Sequence, residues 1–370
     1  MRRLTVVQLL PALHSGGVER STLEIARALV AAGHRAIVVS AGGRLVPSLL
    51  ESGAEHLSLD IGRKSLLTLR HVASLRRLFS ETGADIVHAR SRLPAWLGWY
   101  ALRGMGGQQR PHWVTTMHGL NSPGRYSGIM TSGERVICVS QTVRDYLLQH
   151  YPATDSDKLR VIPRGVDSRQ FARVRRDDRR ARLAVAQVHP ALGGSLPLLL
   201  LPGRGTRLKG HAHAIQLLAD LRQAGQHALL WLLGTREPGR EAYVGELEQL
   251  AERMGVAGQV LITEPTSRIA EAYAASDLVL QLSDKPEAFG RTVLEALSVG
   301  RPVLGWDQGG VGELLAQLQP SGAVQHGQSA LLAQRAGELL HNPPLLPQRI
   351  PFTLQAMQRA TLDVYAELVG

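Results

Sequence analysis

The chain has 370 residues, which is long for one domain and sufficient for two domains that each bury a core. Hydrophobic residues make up 44% and charged residues 20%, a balance that excludes a disordered chain and is ordinary for a globular protein. The formal net charge of +11 predicts a surface that attracts polyanions, such as nucleic acid, anionic lipid or phosphorylated glycan.

Aromatic and cysteine content narrow the class further. Aromatic residues make up only 4%, which is low for stacking on single-stranded bases, and neither zinc-finger spacing nor an RNA-recognition signature occurs. We therefore predict no nucleic-acid partner. The single cysteine, Cys138, lies in the apolar run 136–139. This excludes a disulfide framework and a cysteine metal site, and it favours a reducing, cytoplasmic location.

The first predicted element is a buried strand over residues 4–10. Pro11 and the glycines after it interrupt this apolar run, which is too short for a signal-peptide core or a membrane span. A loop with Gly16 and Gly17 follows, and then a helix through Val30. The glycine pair would let backbone approach a ligand, and Ser15 is expected to help cap the helix. A dinucleotide fingerprint would need G-x-G-x-x-G, which the loop does not satisfy.

Strands and helices then alternate, with further strands predicted at 36–40 and 55–59, which favours a parallel sheet. Residues 64–79 predict one basic amphipathic helix that carries Arg70, Arg76 and Arg77. It is either an ordinary surface helix packed on the sheet or a contact with anionic lipid headgroups. In the second case each basic residue would contribute about 1 kcal/mol to the free energy of membrane binding.

Polar residues follow two later strands of this half. Arg90 and Arg92 come after the strand that ends at His88, and His118 ends the strand that begins near Val114. Because open α/β domains bind ligands at the carboxyl edge of the sheet, the two arginines are candidates for binding an anionic acceptor. Alternatively, Arg90 and Arg92 are ordinary surface residues, and His118 is a structural residue that holds its loop by hydrogen bonds.

The first half is predicted to end with the segment 161–167. The second half then restarts at 196–201, a continuous apolar strand typical of a sheet buried on both faces. A glycine-rich loop, 202–210, follows that strand. A phosphate-binding P-loop would need lysine followed by serine or threonine after its second glycine, whereas Gly210 is followed by His211. The loop is therefore not a P-loop.

The most informative stretch is 286–303, which predicts a loop, a short helix and a strand. A helix that begins near Gly290 would point the backbone N–H groups of 289–292 outward at the positive end of its dipole, which makes an anion site. Glu287 would lie at the mouth of that site and Glu295 about one turn inside. Carboxylates repel phosphate and so would bind hydroxyl groups, and a ligand with both groups is a nucleotide sugar. Alternatively, Glu287 only favours the helix N-terminus and Glu295 is a solvated helix residue.

The segment E-A-F-G-R-T-V-L-E-A, with Glu287 and Glu295 as its E-x7-E pair, resembles retaining glycosyltransferases of family 4. Three other segments also resemble that family: T-x-H-G ending at Gly119, G-R-x-x-x-x-K-G over 203–210, and I-P-x-G-V-D over 162–167. In the last, Arg164 replaces the usual asparagine. The resemblance covers nearly the whole chain and implies the α/β fold called GT-B, in which two Rossmann-like domains with parallel sheets face each other across a cleft.

The resemblance also implies roles for individual residues. His118 would face the transferred sugar and Glu287 would bind the hexose hydroxyls, which makes these two the predicted catalytic residues. Arg204 and Lys209 would neutralise the diphosphate, and Glu295 would bind the ribose. The remaining predicted donor-binding residues are Gly16, Gly17, Thr263, Phe289, Gly290, Arg291 and Thr292, with Thr263 near the base. Arg90 and Arg92 remain the acceptor candidates.

The implied domains are an N-terminal acceptor domain, 1–167 with a last helix at about 352–370, and a C-terminal donor domain, 168–351. The predicted function is a retaining hexosyltransferase that uses a nucleotide-diphosphate sugar, UDP-linked by preference, and a glycan or glycolipid hydroxyl. We expect lipopolysaccharide or cell-surface polysaccharide synthesis, a phosphorylated acceptor, and peripheral attachment to the inner face of the inner membrane. Transfer is predicted to need neither metal nor cofactor, because Arg204, Lys209 and the helix N-terminus at 289–292 would supply the positive charge. The sequence also shows no grouping of His, Asp and Glu that argues for a metal.

Two alternatives belong to other classes. A non-catalytic GT-B protein that binds a nucleotide or glycan could keep Arg204 and Lys209 yet lose His118 or Glu287, and both of these are present. A dinucleotide-dependent oxidoreductase shares the two-domain α/β pattern but requires the fingerprint glycines that are missing here.

Overall fold

The computed structural model describes residues 2–14, 16–107 and 110–370, so Ser15, the predicted helix cap, lies outside the described residues. The chain divides into two compact units. One comprises Met1–Gly165 with Leu354–Gly370, and the other comprises Val166–Thr353. Each unit has its own buried hydrophobic core, as the length of the chain predicts.

The first unit is built on a seven-stranded sheet whose neighbouring strands all pair in parallel. Its order is β3-β2-β1-β4-β5-β6-β7. The strands are β1 Thr5–Leu9, β2 Arg35–Ser40, β3 Glu55–Ser58, β4 Ile86–Ala89, β5 His112–Met117, β6 Arg135–Cys138 and β7 Leu159–Val161. The α-helices are α1 Gly17–Ala31, α2 Val46–Leu50, α3 His71–Thr82, α4 Arg92–Arg103, α5 Arg125–Gly128, α6 Gln141–His150 and the last one, α14 Leu354–Val369.

The second unit repeats the plan with six parallel strands in the order β10-β9-β8-β11-β12-β13. The strands are β8 Leu198–Pro202, β9 Leu229–Leu233, β10 Val260–Thr263, β11 Leu278–Gln281, β12 Val303–Trp306 and β13 Ala323–Val324. The α-helices are α7 Arg180–Val188, α8 His211–Gln223, α9 Glu241–Arg253, α10 Ile269–Ala275, α11 Arg291–Val299, α12 Gly309–Leu318 and α13 Ser329–His341. Both units are thus Rossmann-like, which confirms the predicted fold class.

The strand order tells where each sheet can bind a ligand. The order reverses between β1 and β4 in the first unit, where Val6 pairs with Ile86, and between β8 and β11 in the second, where Leu199 pairs with Leu278. In open parallel sheets the crevice outside the carboxyl ends of such strands is the usual ligand site. The loops that follow β1, β4, β8 and β11 carry most of the predicted site residues.

The last helix belongs to the first unit. Met357, Val364 and Tyr365 lie in its core, and the Tyr365 hydroxyl is 2.6 Å from Nδ1 of the buried His88 at the end of β4. The other imidazole nitrogen, Nε2, is 2.6 Å from the Thr116 hydroxyl. Burial lowers the pKa of His88 well below its usual value, so the ring is neutral and can donate one hydrogen bond and accept the other.

The predicted continuous helix over 64–79 is wrong. Ser65 caps a 3₁₀ turn over Leu66–Arg70, and α3 begins only at His71. In that turn Thr68 is the buried residue, whereas the side chains of Leu66 and Leu67 are 87% and 72% exposed. These leucines therefore do not pack on the sheet as the helical periodicity suggested. Among the helices of the described residues, none is long and apolar enough to cross a bilayer.

Candidate functional site

In the second unit the loops after β8 and β11 meet at the carboxyl edge of the sheet. Their strands are neighbours, so the two loops begin side by side. Gly210, the last residue of the first loop, has φ +75°, and a Cβ there would overlap the carbonyl oxygen of Leu282. The Asp284 N–H also donates to the Leu208 carbonyl oxygen at 3.0 Å. Glycine at 210 is thus what lets the two loops touch.

This contact brings together two predicted site residues, Lys209 and Glu287. The Lys209 ammonium donates to Glu287 Oε1 at 2.6 Å, and the Ser283 hydroxyl donates to the same oxygen at 2.7 Å. Burial alone would raise the pKa of Glu287, but the Lys209 charge and the hydrogen bonds from Lys209 and Ser283 outweigh burial and lower that pKa. Glu287 is therefore an ionised carboxylate with a lysine bound to it.

The segment that carries Glu287 is fixed from the other side by the start of α12. Gly310 N–H donates to the Glu287 carbonyl oxygen at 2.7 Å, and the Gln308 side chain donates to the Ser283 carbonyl oxygen at 2.7 Å. Gly290 then serves as the N-cap of α11 with φ +104°. The helix begins where the sequence predicts, with Arg291 and Thr292 in its first turn.

Glu295 is not a solvated helix residue, because it is only 7% exposed. Its Oε2 accepts a hydrogen bond of 3.1 Å from the hydroxyl of Tyr273, which is fully buried in α10. Phe289, just before the helix, is also buried and lies edge-on to Phe352 with ring centroids 6.4 Å apart. Burying a carboxylate is costly, so its retention inside the first turns of α11 argues for a purpose other than solubility.

The third predicted donor element is the end of β10. The Trp231 indole donates to the Thr263 hydroxyl at 2.8 Å. Thr263, with Glu264, Pro265 and Trp231, lines an open cavity of about 470 Å³, to which α7 and α10 also contribute lining residues. This volume is in the range of small-molecule sites. Arg204, in contrast, is an exposed side chain on the loop after β8.

In the first unit His118 follows β5 and contacts Arg164. Arg164 Nη2 lies 2.6 Å from His118 Nδ1, and Nη1 donates to the Ser21 hydroxyl at 2.8 Å. The same Nη2 also lies 3.4 Å from Nε2, and because a guanidinium can only donate, the shorter contact favours Nδ1 as the acceptor. The replacement of asparagine by Arg164 therefore gives the predicted catalytic histidine a cationic partner.

The two predicted acceptor arginines have different surroundings. Arg90 is 2% exposed; its Nε donates to Gln8 at 2.7 Å and its Nη1 to the Ser21 hydroxyl at 3.2 Å. Arg92, the first residue of α4, is partly exposed, donates to the Ser127 hydroxyl at 3.1 Å and lies over the Tyr126 ring. Of the two, only Arg92 presents its charge near the surface.

The glycine pair begins the first helix. Gly16 is the N-cap of α1, with φ +144°, and Gly17 is its first residue, with open space where a Cβ would be. Ser21, on the same helix, joins Arg90 and Arg164, so the glycine loop, Arg90 and His118 belong to one polar region of the first unit. Ser21 is not among the predicted site residues, and Arg164 was noted only as a departure from the family segment, because both act through contacts between distant segments.

One group of metal-ligating side chains was also missed. In the second unit His213, Asp284 and His326 each offer a ligand atom, and these atoms lie within 4.8 Å of one another. They are far apart in the sequence, so no spacing signal could reveal them. Their presence corrects the observation that the sequence contains no such grouping, while the metal independence of transfer stays a prediction.

Two Rossmann-like domains with these residues at their sheet edges are the architecture of the GT-B fold. The chain itself consists of two glycosyltransferase domains: residues 15–170 match the family described as Glycosyltransferase Family 4, and residues 190–351 match the one described as Glycosyl transferases group 1. These matches confirm the predicted glycosyltransferase class.

Individual relatives agree with this family. A D-inositol 3-phosphate glycosyltransferase of Xylanimonas cellulosilytica is 30% identical over 255 residues, which are 63% of this chain and 58% of that protein. The chain spans about half the length of the curated relatives it matches. A glycosyltransferase from Rickettsia africae has a similar crystal structure, with a TM-score of 0.83 at 26% identity, over 100% of this chain and 99% of that one. Anabaena Alr3699/HepE, solved with UDP and glucose, has a TM-score of 0.77 at 21% identity over 99% and 96%.

Proposed function

We propose that the protein is a retaining hexosyltransferase that transfers a hexose from a UDP-sugar to a hydroxyl of a glycan or glycolipid. The observation that carries this proposal is the Lys209–Glu287 contact beside the N-terminus of α11, with the buried Glu295 inside that helix. A cation, a helix N-terminus and two ionisable carboxyl groups at one sheet edge suit a ligand that has both phosphates and hydroxyls.

The diphosphate is assigned to the positive groups of this site. Backbone N–H groups at the start of α11 would bind its oxygens, and Lys209 and the exposed Arg204 would neutralise its charge. Negative charge on the diphosphate grows as the bond to the sugar breaks. Donors already held in place, such as Lys209, therefore stabilise the transition state more than the bound substrate.

The carboxylates are assigned to the hydroxyls. The lowered pKa of Glu287 keeps it ionised at neutral pH, so it can accept hydrogen bonds from hexose hydroxyls while Lys209 stays close to the phosphates. Glu295, held by Tyr273, would accept from the ribose. The cavity beside Thr263 would receive the base, and UDP is preferred because a structural relative was solved with UDP and glucose.

His118 is assigned to the transferred sugar. Arg164 positions its imidazole, with Nη2 2.6 Å from Nδ1, and the ring would exchange a hydrogen bond with a sugar hydroxyl. Retention follows either from a nucleophile on the protein or from attack on the same face, where the departing phosphate takes the acceptor proton. Both routes use the same donor site, and neither requires a metal.

The acceptor is proposed to be anionic and membrane-borne, as in lipopolysaccharide or cell-surface polysaccharide synthesis at the inner face of the inner membrane. Leu66 and Leu67 project from the 3₁₀ turn, and the adjoining Arg63, Lys64 and Arg70 are exposed. Apolar side chains flanked by cations fit an anionic lipid surface. A phosphorylated acceptor, bound by Arg92, agrees with the net charge of +11 and with the phosphate in the name of the inositol relatives.

Membrane attachment is tested by flotation with vesicles of phosphatidylglycerol and phosphatidylcholine. The double variant Leu66→Ser/Leu67→Ser should float at least about tenfold less, because both leucines would insert among the lipids. The matched control is Leu183→Ser, which changes another exposed leucine, in α7. Equal flotation of wild type and the double variant would refute attachment through this turn.

The donor site is tested by thermal stabilisation with UDP, GDP, ADP and NAD. UDP should stabilise the wild type most. Glu295→Gln should weaken UDP binding at least about tenfold, since one hydrogen bond to a charged group is lost. The control is Glu252→Gln, an exposed glutamate of α9. Stabilisation by NAD alone, or equal stabilisation of Glu295→Gln and wild type by UDP, would contradict the proposed site.

A further inference from the structure

The imidazoles of His213 and His326 flank the carboxylate of Asp284 in the second unit. His213 Nε2 is 2.7 Å from Asp284 Oδ1, and His326 Nε2 is 3.8 Å from the same oxygen. The three ligand atoms lie within 4.8 Å of one another, and the three side chains are 35%, 39% and 42% exposed for His213, Asp284 and His326. The group is therefore close-packed yet open to solvent on one side.

Topology explains why three distant residues meet. β8, β11, β12 and β13 are successive neighbours in the sheet, and all run parallel. His213 lies in the first turn of α8, shortly after β8. Asp284 follows β11, and His326 follows β13. All three thus lie at the carboxyl edge of the same sheet.

A buried tryptophan at the end of β12 supports the two imidazoles. The Trp306 ring is edge-on to His213 at 5.6 Å and to His326 at 5.3 Å between centroids. Its indole donates to the Leu282 carbonyl oxygen at 3.2 Å, so the ring is itself fixed. Histidine side chains that are held in place lose less entropy when they bind an ion.

We propose that His213, Asp284 and His326 bind a divalent transition-metal ion, with zinc as the best fit. Zinc binds imidazole nitrogen and carboxylate oxygen at about 2.0–2.2 Å, so tetrahedral ligand atoms lie about 3.4 Å from each other. The distances of 2.7 and 3.8 Å bracket this value, and small side-chain rotations suffice. Two imidazoles exclude a magnesium or calcium site, since those ions prefer oxygen ligands. Solvent would occupy the fourth position.

The ion would be a positioning element rather than a participant in transfer. It would join α8, the loop after β11 and the turn after β13. Ser283, adjacent to Asp284, donates to Glu287, and the Asp284 backbone bonds to Leu208, next to Lys209. Binding would thus stiffen the two loops that hold the Lys209–Glu287 pair. Metal binding itself does not depend on the proposed transferase activity.

The test is calorimetric titration of the chelator-treated full chain with zinc chloride, alongside the visible spectrum after cobalt(II) addition. We expect one equivalent of zinc and the intense absorption of tetrahedral cobalt. Asp284→Asn and His326→Gln should each lower the affinity for zinc at least about tenfold. The control, His227→Gln, removes an exposed histidine elsewhere in the unit and should bind as wild type.

Trp306 gives a second, independent measurement. Copper(II) bound by the two imidazoles should quench Trp306 fluorescence, so Trp306→Phe should lose most of the metal-induced quenching while zinc still binds. Absence of stoichiometric zinc binding in the wild type would overturn the proposal. Wild-type affinity in both Asp284→Asn and His326→Gln would overturn it equally.

Discussion

Replacement of Lys209 by methionine tests whether this lysine binds the sugar donor or has only a structural role. The ammonium makes a charge-assisted hydrogen bond of 2.6 Å, and its side chain is 30% exposed, so solvent screens it only in part. A hydrogen bond to a charged group contributes about 1.5–3 kcal/mol, which corresponds to a loss of about tenfold to hundredfold in UDP affinity. Because leaving-group charge grows in the transition state, kcat should fall further, by about 10²–10³.

The same substitution changes how activity depends on pH. In the wild type, burial raises the pKa of Glu287, but the Lys209 charge and the hydrogen bonds bring it below the ordinary 4.5. Without Lys209, burial is opposed only by the hydrogen bonds from Ser283 and Gln281, so the pKa of Glu287 rises. The acid limb of the kcat/KM profile should therefore move to higher pH in Lys209→Met.

The free energy of unfolding of the wild type should depend on the same ionisation of Glu287. A carboxyl group whose folded pKa is depressed stabilises the fold fully above its unfolded pKa, and this stabilisation is lost as pH falls through the folded pKa. For Glu287 that window lies below about pH 4.5. Lys209→Met should remove this stabilisation, so the free energy of unfolding of the variant should no longer fall through the ionisation of Glu287 in this window.

The assay for Lys209→Met is UDP release from UDP-hexoses with a membrane glycolipid extract, followed from pH 4 to pH 9. The matched control is Lys285→Met, which removes the same charge from an exposed lysine of the neighbouring loop. A kcat for Lys209→Met within threefold of wild type, or equal to that of Lys285→Met, would refute the reasoning.

Three further predictions concern single positions. His118→Ala should lower kcat at least about hundredfold with UDP affinity nearly unchanged; a near-normal rate, or an equal loss in His112→Ala at the other end of β5, would contradict its role. Gly210→Ala should reduce the free energy of unfolding by at least about 2 kcal/mol in urea titration, through positive φ and overlap with Leu282. Gly225 has a similar φ of +77° but open space where a Cβ would be, so Gly225→Ala should lower the free energy of unfolding by less. Equal losses in the two variants would show that the overlap with Leu282 is relieved. Burial raises the pKa of Cys138 to about 12, so a thiol reagent at pH 8 should label it only in denaturant; rapid labelling of the folded chain would contradict this burial.

Much of the fold was predictable because local signals are strong in parallel α/β proteins. Strands buried on both faces, such as β8, read as continuous apolar runs, and glycines mark the turns that follow them. The beginning of α11 at Arg291 and its end before Gly300 also follow from local glycine chemistry. Helical periodicity misled at 64–79, since the apolar spacing of Leu66 and Leu67 reflects exposed side chains rather than a packed face.

The site was predictable by residue type but not by contact. Glycine spacing and the E-x7-E pair indicated Lys209 and Glu287 separately, yet their hydrogen bond depends on which loops the sheet order brings together. The pairing of Arg164 with His118 and the burial of Arg90 have the same cause. Such contacts join residues far apart in sequence, where no periodicity or spacing can report them.

The central claim, turnover of a UDP-hexose at the Lys209–Glu287 site, is tested most directly by real-time NMR of the sugar signals. UDP-glucose, UDP-galactose and UDP-N-acetylglucosamine would each be incubated with the chain and the glycolipid extract. We expect that one donor is consumed, that the first product keeps the anomeric configuration of the donor, and that Lys209→Met slows the reaction at least about hundredfold. An inverted first product, or turnover unaffected by Lys209→Met, would contradict it.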